Sequence, residues 1–476
     1  MTTKIINKSF IIALATVFLG SCVPVLKNTK TENKTVPTSF NNSKDTVCIA
    51  KIKWKNYFSD SNLIALIDTA LKNNQELNII NQEIEISKNE VRARKGEYLP
   101  FIGLQGVAGL EKLGKYTWRG GVEENLDLKH NPEVIESKSD YILGATASWE
   151  LDVWKKLRNA KKAAVYKYLA SIEGKNFMVT NLIAEISNSY YELMALDNML
   201  DMLQKNMQIQ SDALKVVKEQ KNAAKVTQLA VNRFEAQLLN TQNLQYEIKQ
   251  EIIETENRIN FLTGRFPKPI ERSSITFFDL PTDFIQAGVP SQLLANRSDI
   301  RQTEMELVAA KLDVKVARAS FYPSFKITAG AGFQAFSPTY LINPESMIYN
   351  LAGDLVAPLI NRNAIKATYF ISNAKQVQAV YNYERTILNA HIDVLNQLSR
   401  INNFEQSYTT KSKEVDLLNQ SISISNNLFQ SARADYMEVL LTQREALESK
   451  IELIEIKMKQ MNAKVNIYKA LGGGWN

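Results

Sequence analysis

The side chains that most often carry catalysis or bind metal ions are scarce in this sequence. Its 476 residues include only two histidines, His130 and His391, and only two cysteines, Cys22 and Cys48. Their spacing matches no zinc motif. No phosphate-binding loop, dinucleotide fingerprint, nucleophile elbow or metalloprotease motif occurs either. The sequence therefore predicts neither an enzyme nor a protein with a metal ion or other cofactor.

The cysteine at position 22 is the exception, because its surroundings predict acylation. Two lysines, Lys4 and Lys8, precede an apolar run over 10–20 that is too short to span a bilayer comfortably. The run ends in LGSC at 19–22, which resembles a bacterial lipobox. We expect cleavage before Cys22 and acylation of its thiol and of the new amine, since several acyl chains anchor far more firmly than one. The alternative is an ordinary secretory signal peptide followed by an incidental cysteine.

The charge pattern argues against a nucleic-acid-binding protein. The formal net charge is +7, and lysines and glutamates are interspersed along the chain. A nucleic-acid-binding protein would concentrate its basic residues on one face. We interpret the basic excess as a solvated surface. If Cys22 carries lipid, Cys48 stays unpaired and no intramolecular disulfide can form.

Glycine and proline divide the chain into helical and extended regions. Neither residue occurs between Gly174 and Gly264 or between Pro358 and Gly472, whereas seven of the eighteen glycines lie within 103–144. Because both residues interrupt helices, this distribution predicts two very long helical tracts that alternate with two glycine-rich segments.

The helical tracts show the periodicity of coiled coils. Residues that are apolar except for Ser189 and Gln210 follow one another in steps of four and three over 182–217, and apolar residues do so again over 447–468. A sustained 3.5-residue repeat predicts left-handed packing against neighbouring helices, whereas a globular helical core would show a 3.6-residue period and shorter helices. Each tract is too long for a single rod, so we expect each to fold back once, with tips at 218–228 and 430–439.

The glycine-rich segments alternate apolar and polar residues with the period of β-strands. The pattern is clearest over 145–153 and 325–334, and it recurs over 101–111 and, more weakly, over 347–357. Each of these four strands is about long enough to cross a membrane when tilted. An open four-stranded sheet in lipid would leave the polar backbone groups of its edges without partners. We therefore expect several copies of the chain to contribute four strands each, and three copies would supply twelve.

The chain contains an internal repeat and a polar tether. ARKGEYLPF at 93–101 matches ARASFYPSF at 317–325, and in each a helical pattern stops at Tyr and Pro before a strand pattern begins. Residues 23–50 are polar and are predicted to be extended. The predicted organisation begins with a signal peptide (1–21) and a lipidated tether (22–52). The first repeat (53–263) contains a β-hairpin at about 99–153 and a helical hairpin at about 155–263, and an equatorial linker (264–296) follows it. The second repeat (297–471) contains a β-hairpin at about 323–357 and a helical hairpin at about 360–471, and a tail (472–476) follows.

One stretch carries a specific resemblance to a known family. AGVPSQLLANRSDIRQTEMELVAAKLDVKVARASFYPSF, at 287–325, resembles the GxPSxLLxxRPDI signature of TolC-like outer-membrane efflux factors, in particular the lipoprotein branch that serves RND-type multidrug pumps. SWELDVWKKLRNA (148–160), LTGRFP (262–267), YMEVLLTQREAL (436–447) and ALGGGW (470–475) occur in the order expected of that family. The resemblance covers the chain from the lipobox to the C-terminus.

The resemblance implies a mainly α-helical fold with a membrane β-barrel. A homotrimer would form a twelve-stranded outer-membrane barrel, four strands per chain, continuous with a twelve-helix periplasmic α-barrel. The implied function is a passive exit duct for drugs or other small toxic compounds. An inner-membrane RND-type transporter would energise it through a periplasmic adaptor (membrane-fusion) protein. The implied location is the outer membrane, where the lipid anchor and barrel contact outer-membrane lipid; no nucleic acid is implied as a partner.

The resemblance also implies roles for three groups of residues. The helix-to-barrel transitions are Tyr98, Pro100, Tyr322 and Pro323. The collar motif is Arg297, Asp299 and Arg301. The candidate residues of the periplasmic gate lie at the two hairpin tips and are Lys225, Val226, Thr227, Asp435, Tyr436, Met437, Glu438, Leu441 and Arg444.

The chain departs from the family pattern at two positions. Ser298 stands where many relatives have the proline of RPDI, which predicts a slightly less rigid turn. Leu441 stands where relatives commonly carry an acidic residue before AQR. A ring of carboxylates there would favour cations and resist closure, whereas a ring of Leu441 would form an apolar plug, with Asp435 or Glu438 supplying charge nearby. Alternatively, Leu441 only packs between helices.

Two other functions fit parts of the pattern. A coiled-coil spacer lipoprotein that conducts nothing would explain the long helices, but it would not need glycine-rich amphipathic hairpins. An outer-membrane channel of an ABC-type (type I) secretion system would use the same fold. The lipobox and the PSxLLxxR motif favour the RND-type efflux branch.

Overall fold

The computed structural model describes residues 23–26, 28–40, 48–112, 114, 116–118, 138–280, 287–358, 360, 362–431 and 433–475. The predicted signal peptide, Cys22 and His130 lie outside the described residues. The chain divides into two compact units. Unit 1 contains Met1–Thr31, Glu85–Tyr168 and Met305–Val380, and unit 2 contains Glu32–Ile84, Leu169–Glu304 and Tyr381–Asn476.

Most described residues are helical, as the sequence predicts. In chain order the helices are α1 (Trp54–Tyr57), α2 (Ser61–Asn73), α3 (Gln75–Glu97), α4 (Lys156–Asn222), α5 (Gln228–Leu262), α6 (Leu293–Asn296), α7 (Ser298–Ala319), α8 (Asn363–Gln430) and α9 (Tyr436–Ala470). None of the described helices combines the length and the hydropathy that crossing a membrane requires.

Helix α4 begins at a side-chain cap and tolerates one glycine. The carboxylate of Asp152 accepts hydrogen bonds from the backbone N–H groups of Leu157 at 3.0 Å and Arg158 at 2.9 Å. These donors have no partner within the helix, so the cap stabilises its first turn. Gly174 lies inside α4, where an added Cβ would stand 3.2 Å from Oε1 of Gln302. A side chain at position 174 would therefore require the Gln302 side chain to shift by a few tenths of an ångström.

Four strands of unit 1 form one antiparallel sheet in the order β1 (Phe101–Glu111), β2 (Lys138–Leu151), β3 (Ser324–Ala335), β4 (Met347–Val356). Three of them begin and end within two residues of the predicted patterns. Strand β2 instead starts seven residues before the predicted 145–153 pattern and ends at Leu151. It ends there because Asp152 leaves the ladder to cap α4.

The strand register separates an apolar face from a polar face. Leu143 pairs with Phe333, whereas Glu150 pairs with Lys326. Because directly opposed residues point to the same side of a sheet, the register defines both faces completely. The apolar face contains one polar residue, Ser139, and otherwise consists of Ile102, Leu104, Gly106, Ala108, Leu110, Tyr141, Leu143, Ala145, Ala147, Trp149, Leu151, Phe325, Ile327, Ala329, Ala331, Phe333, Ala335, Met347, Tyr349, Leu351, Gly353 and Leu355. Large apolar side chains on this face are exposed in the single chain: Leu104 is 91% exposed and Leu351 is 76% exposed.

Two paired glycines bring β2 and β3 into close contact. Gly144 lies directly opposite Gly332. A Cβ added to Gly332 would stand 2.5 Å from the carbonyl oxygen of Leu143 and 2.6 Å from Cα of Gly144. A Cβ added to Gly144 would stand 2.8 Å from the carbonyl oxygen of Ala331. The obstructing atoms are backbone, so neither position has room for a side chain.

Unit 2 has a main apolar core and a smaller cluster near the hairpin tips. The main core joins α2, α4, α5 and α9, with Ile67, Leu193, Ile259 and Tyr468 among its buried residues. The smaller cluster, called the tip cluster below, consists of Leu214, Val217, Ala230, Val231, Phe234, Val439 and Leu440. The apolar positions of the predicted coiled-coil repeat in α4 are thus used for helix packing.

Candidate functional site

Tryptophan side chains hold the backbone where the helices give way to strands. The indole N–H of Trp149 donates to the carbonyl oxygen of Tyr98 at 3.2 Å. The indole N–H of Trp154 donates to the carbonyl oxygen of Pro323 at 2.8 Å, and its ring stacks on Tyr322 at 4.7 Å. Proline ends the helical pattern at both places because it has no N–H to donate. Of the predicted transition residues, Tyr98, Tyr322 and Pro323 are therefore held by contacts within unit 1, whereas Pro100 is exposed.

Arg297 is the centre of the collar motif. Its side chain is 8% exposed, and its Nε and Nη2 donate to the two carboxylate oxygens of Asp299 at 3.0 and 2.7 Å. Nη1 donates to the carbonyl oxygen of Ala470 at 3.0 Å and lies 3.4 Å from Oδ2 of Asp393. Burial by itself lowers the pKa of the Arg297 guanidinium, but the hydrogen bonds and charge of Asp299 more than offset it and raise that pKa above its ordinary value. A charged guanidinium thus joins the start of α7 to α8 and to the end of α9.

The C-terminal residues pack against the same motif. The guanidinium of Arg301 pairs with Glu173 at 2.5 Å and lies 5.3 Å from the ring centroid of Trp475. The indole N–H of Trp475 donates to the carbonyl oxygens of Asn296 and Gly472, at 3.2 and 3.0 Å. Gly472 has φ +89°, and an added Cβ would stand 2.6 Å from the carbonyl oxygen of Asn296. The GGGW sequence is therefore a packing element of the collar.

Ser298→Pro is expected to stabilise the protein. Ser298 is the first residue of α7, where proline is favoured because that N–H has no helical acceptor. Its hydroxyl is buried and makes no hydrogen bond to any described residue. Proline removes this unpaired group and restricts the unfolded chain, so we expect a gain of about 0.5–1 kcal/mol. Thermal unfolding of the purified protein measures it, and a lower melting temperature than wild type would contradict the prediction.

The two hairpin tips end their first helix with the same hydrogen bond. The backbone N–H of Lys225 donates to the carbonyl of Gln220, and that of Arg433 donates to the carbonyl of Leu428, both at 2.8 Å. In each case the bond reaches back five residues, as in a Schellman helix end. Both turns lie inside the segments that the sequence predicts as tips.

Ala224→Gly is expected to raise stability at the first tip. Ala224 has φ +51°, a left-handed conformation that costs a residue with a Cβ about 1–2 kcal/mol. Glycine adopts this conformation freely, although it also gains entropy when unfolded, so we expect a net gain of about 0.5–1 kcal/mol. The control is Ala223→Gly, because Ala223 does not have a positive φ and should lose stability. If the melting temperatures of Ala224→Gly and Ala223→Gly both rose or both fell relative to wild type, this account would be contradicted.

The structure brings only some of the gate candidates together. Val226 and Tyr436 pack against the tip cluster. The sulfur of Met437 accepts a hydrogen bond from Nη1 of Arg233 at 2.8 Å. Thr227 and Asp435 precede α5 and α9, but neither side chain caps its helix.

The remaining gate candidates lie at the surface of the chain. Leu441 is 40% exposed, although the adjacent Leu440 is buried. Glu438 and Lys225 are exposed. Arg444 lies 3.7 Å from Glu448 one helical turn away. The side chain of Leu441 is therefore not enclosed by its own chain.

Within the predicted tether, residues 28–40 form no helix or strand, whereas Ile49–Lys51 form a short 3₁₀-helix. In unit 1 the tether packs on α8. The side-chain amide of Asn373 donates to the backbone carbonyl of Asn28 at 2.7 Å, and that of Gln376 donates to the carbonyl of Lys30 at 3.2 Å. Because both hydrogen bonds are accepted by backbone carbonyls, which every residue has, the composition of the tether does not indicate them. The sequence therefore predicted an extended segment but not its contacts.

Within unit 2 the tether packs through side chains. Nζ of Lys34 lies 2.6 Å from Oε1 of Glu304. Phe40 is 1% exposed and stacks on the ring of His391 at 5.3 Å. A single Phe in a polar segment is not part of any helical or strand pattern. Only its burial in the structure shows that Phe40 anchors the tether. His391, read from the sequence as a residue on a helix face, is the surface on which Phe40 packs.

Unit 2 contains a second network of ion pairs and hydrogen bonds that the sequence did not predict. Arg272, in the segment after α5, pairs with Asp197 of α4 and with Glu256 of α5, both at 2.5 Å. The hydroxyl of Ser274 donates to the same Asp197 carboxylate at 2.6 Å. No fixed spacing connects these residues, so no motif could have identified them. Among the described residues, no group of His, Cys, Asp or Glu is placed to hold a metal ion.

Comparisons with known proteins agree with this architecture. The family model described as outer membrane efflux protein matches residues 66–265 and 289–473. The chain is 26% identical over 431 residues to the solvent efflux pump outer membrane protein SrpC of Pseudomonas putida, covering 90% of this chain and 89% of the relative. It is 23% identical over 471 residues to the probable outer membrane lipoprotein SilC of Salmonella typhimurium, covering 98% of each. Its fold matches crystal structures of CusC with a TM-score of 0.82 at 22% identity, covering 94% of this chain and 100% of the other.

Proposed function

The chain belongs to the outer membrane efflux protein family, and from this membership we propose that it is the outer-membrane exit duct of a tripartite efflux system. The duct passively conducts drugs or other small toxic compounds to the outside. An inner-membrane RND-type transporter delivers them through a periplasmic adaptor protein. Relatives named for solvent efflux and for cation efflux support a cargo of small toxic solutes.

The observation that carries the proposal is the sheet with one exposed apolar face. Apolar side chains cover that face, and the edge strands β1 and β4 each have one side that pairs with no strand of the described residues. In lipid each unsatisfied backbone group costs several kcal/mol, so the sheet needs further strands at both edges. Three copies would supply the twelve strands of a closed barrel. A non-conducting spacer would have no use for such a sheet.

Exposed apolar stripes on the helices of unit 2 support a homotrimer. On α5, Leu239, Tyr246 and Ile253 are exposed at steps of seven residues. On α8, Leu417 and Ile424 repeat the same step. A heptad stripe is a packing seam for another helix. Two different seams on one chain suit a head-to-tail ring, in which one seam packs against the other seam of the next copy.

Leu441→Asp is expected to widen and charge the periplasmic gate. In the proposed trimer, three exposed Leu441 side chains form an apolar constriction at the tips, and three carboxylates would repel one another and attract cations. We expect higher single-channel conductance in planar bilayers and a several-fold rise in cation preference. Leu441→Asn is the matched control, since it removes the apolar side chain without adding charge. Unchanged conductance and selectivity in Leu441→Asp would remove Leu441 from the gate.

The lipid anchor completes the proposed arrangement. Acylated Cys22 holds the start of the tether in the outer membrane, and Val23 and Leu26 pack against the cluster of Ala317, Phe321 and Tyr369 in unit 1. The similarity to a probable outer membrane lipoprotein over 98% of both chains supports this anchor.

Complementation of a deletion strain tests the proposed function. Loss of the chain is expected to increase susceptibility to drugs, dyes and detergents, and the wild-type chain is expected to restore resistance and form heat-modifiable trimers in outer-membrane fractions. Unchanged susceptibility together with an extended monomer would instead support a spacer.

A further inference from the structure

The polar face of the sheet carries one row of charged side chains at the end where the strands join the helices. Glu150 pairs with Lys326, and Lys326 pairs with Asp354, so the three residues form one row across β2, β3 and β4. This base row lies next to the last residue of β2 and within two residues of the helix-connected ends of β3 and β4.

The middle of the polar face carries no charge. Its neutral residues are Phe101, Gly103, Gln105, Val107, Gly109, Ile142, Gly144, Thr146, Ser148, Thr328, Gly330, Gly332, Gln334, Ile348, Asn350 and Ala352. Charge returns at the far end, where Asp140 accepts from the Gln334 amide at 2.9 Å and Glu111 is the last residue of β1. The base row is therefore separated from other charges on this face by several rows of neutral residues, many of them small.

Two of the three charges in the base row form no ion pair with any described residue. Nζ of Lys156, at the start of α4, lies 3.4 Å from Oε1 of Glu150 and compensates that carboxylate. Within the part of the chain that the structure describes, neither Lys326 nor Asp354 forms an ion pair, and both are exposed. The row therefore presents one positive and one negative charge per chain that are not held in an ion pair with any described residue.

We propose that the base row sets the charge selectivity of the duct where it enters the barrel, with Lys326 and Asp354 as opposing determinants. The inference rests on the proposed function, because only in a closed barrel does the polar face line a lumen. Three copies place three Lys326 and three Asp354 around the lumen. Charges that alternate in sign largely cancel at distances greater than their spacing, and salt screens the remaining field beyond about 10 Å at 0.1 M. The wild-type entrance then admits cations and anions alike, which suits a cargo of amphiphilic compounds of either charge. Removing one sign leaves a ring of the other.

Reversal potentials of purified trimers in planar bilayers test the inference. With a potassium chloride gradient from 10 to 100 mM, which limits screening, Lys326→Gln is expected to raise the potassium-to-chloride permeability ratio about threefold relative to wild type. Asp354→Asn is expected to lower it by a similar factor. The double variant, Lys326→Gln with Asp354→Asn, should return to the wild-type ratio. Lys55→Gln removes the same charge from α1 and should leave the ratio unchanged.

The outcomes separate this inference from the proposed function. Opposite shifts in the two single variants, cancelled in the double variant, support the base row as the determinant. Variants that restore drug resistance to the deletion strain and conduct with an unshifted ratio overturn the inference and leave the duct intact. A wild-type chain that neither conducts nor restores resistance overturns both.

Discussion

Gly332→Ala is expected to prevent assembly of the outer-membrane trimer. The new methyl group would meet the carbonyl oxygen of Leu143 at 2.5 Å and Cα of Gly144 at 2.6 Å. Both obstructing atoms are backbone in the neighbouring strand, so relief requires that β2 and β3 move apart and lose ladder hydrogen bonds. We expect a cost of about 3 kcal/mol or more per chain, at the upper end of what over-packing produces. Heat-modifiability on gel electrophoresis and the amount of trimer in outer-membrane fractions measure the effect.

The matched control for this change lies in the same sheet. Gly353→Ala adds the same methyl group on β4, where no atom lies within 4 Å of the new Cβ. We expect trimer yield close to wild type for Gly353→Ala and little or no trimer for Gly332→Ala. Equal yields of the two variants would show that the close contact between β2 and β3 is not required for assembly.

Arg297→Met is expected to destabilise unit 2 by about 3–5 kcal/mol, the range found when one partner of a buried ion pair is removed. The change removes both Arg297 donors from the carboxylate of Asp299, whose side chain is 16% exposed, and leaves it the backbone N–H of Ile300 at 2.9 Å. It also removes the donor to the carbonyl of Ala470. The melting temperature of the purified protein is the direct measurement.

An exposed arginine provides the comparison for this prediction. Arg258 pairs with Glu192 at 2.9 Å, but its side chain is 48% exposed, so Arg258→Met should cost less than about 1 kcal/mol. Arg297→Lys should recover little of the loss, because an ammonium group cannot bond both carboxylate oxygens as a guanidinium does. If Arg297→Met and Arg258→Met melted at the same temperature, the collar would not depend on the Arg297 network.

Local patterns predicted the elements of this protein closely because each element is encoded in its own residues. The alternation of apolar and polar residues in β3 is visible in its sequence, since a strand with one apolar face must repeat every two residues. The ends of α3 and α7 were predicted from Tyr98 and Pro100 and from Tyr322 and Pro323, because proline cannot continue the helical hydrogen bonds. The collar motif could be identified only by resemblance, although its arginine and aspartate are two residues apart.

The contacts that give these residues their roles join distant parts of the sequence. Arg297 reaches Asp393 and Ala470, which are 96 and 173 residues away. Lys326 stands opposite Glu150 and Asp354 only because the register places them in one row. Residues 23–50 were predicted to be extended, but their contacts with Asn373 and Gln376 use backbone carbonyls, which every residue possesses.

The sequence by itself predicted the two long helical hairpins, the four strand segments, the places where α3 and α7 give way to strands and the apolar faces of β2 and β3. These properties follow from period, glycine and proline, all of which act within a few residues. The tertiary structure alone decided that Gly144 lies against Gly332, that Phe40 packs on His391 and that Trp475 closes over the collar. A local pattern records that a residue will be buried or paired, but the identity of its partner depends on how the chain brings remote segments together.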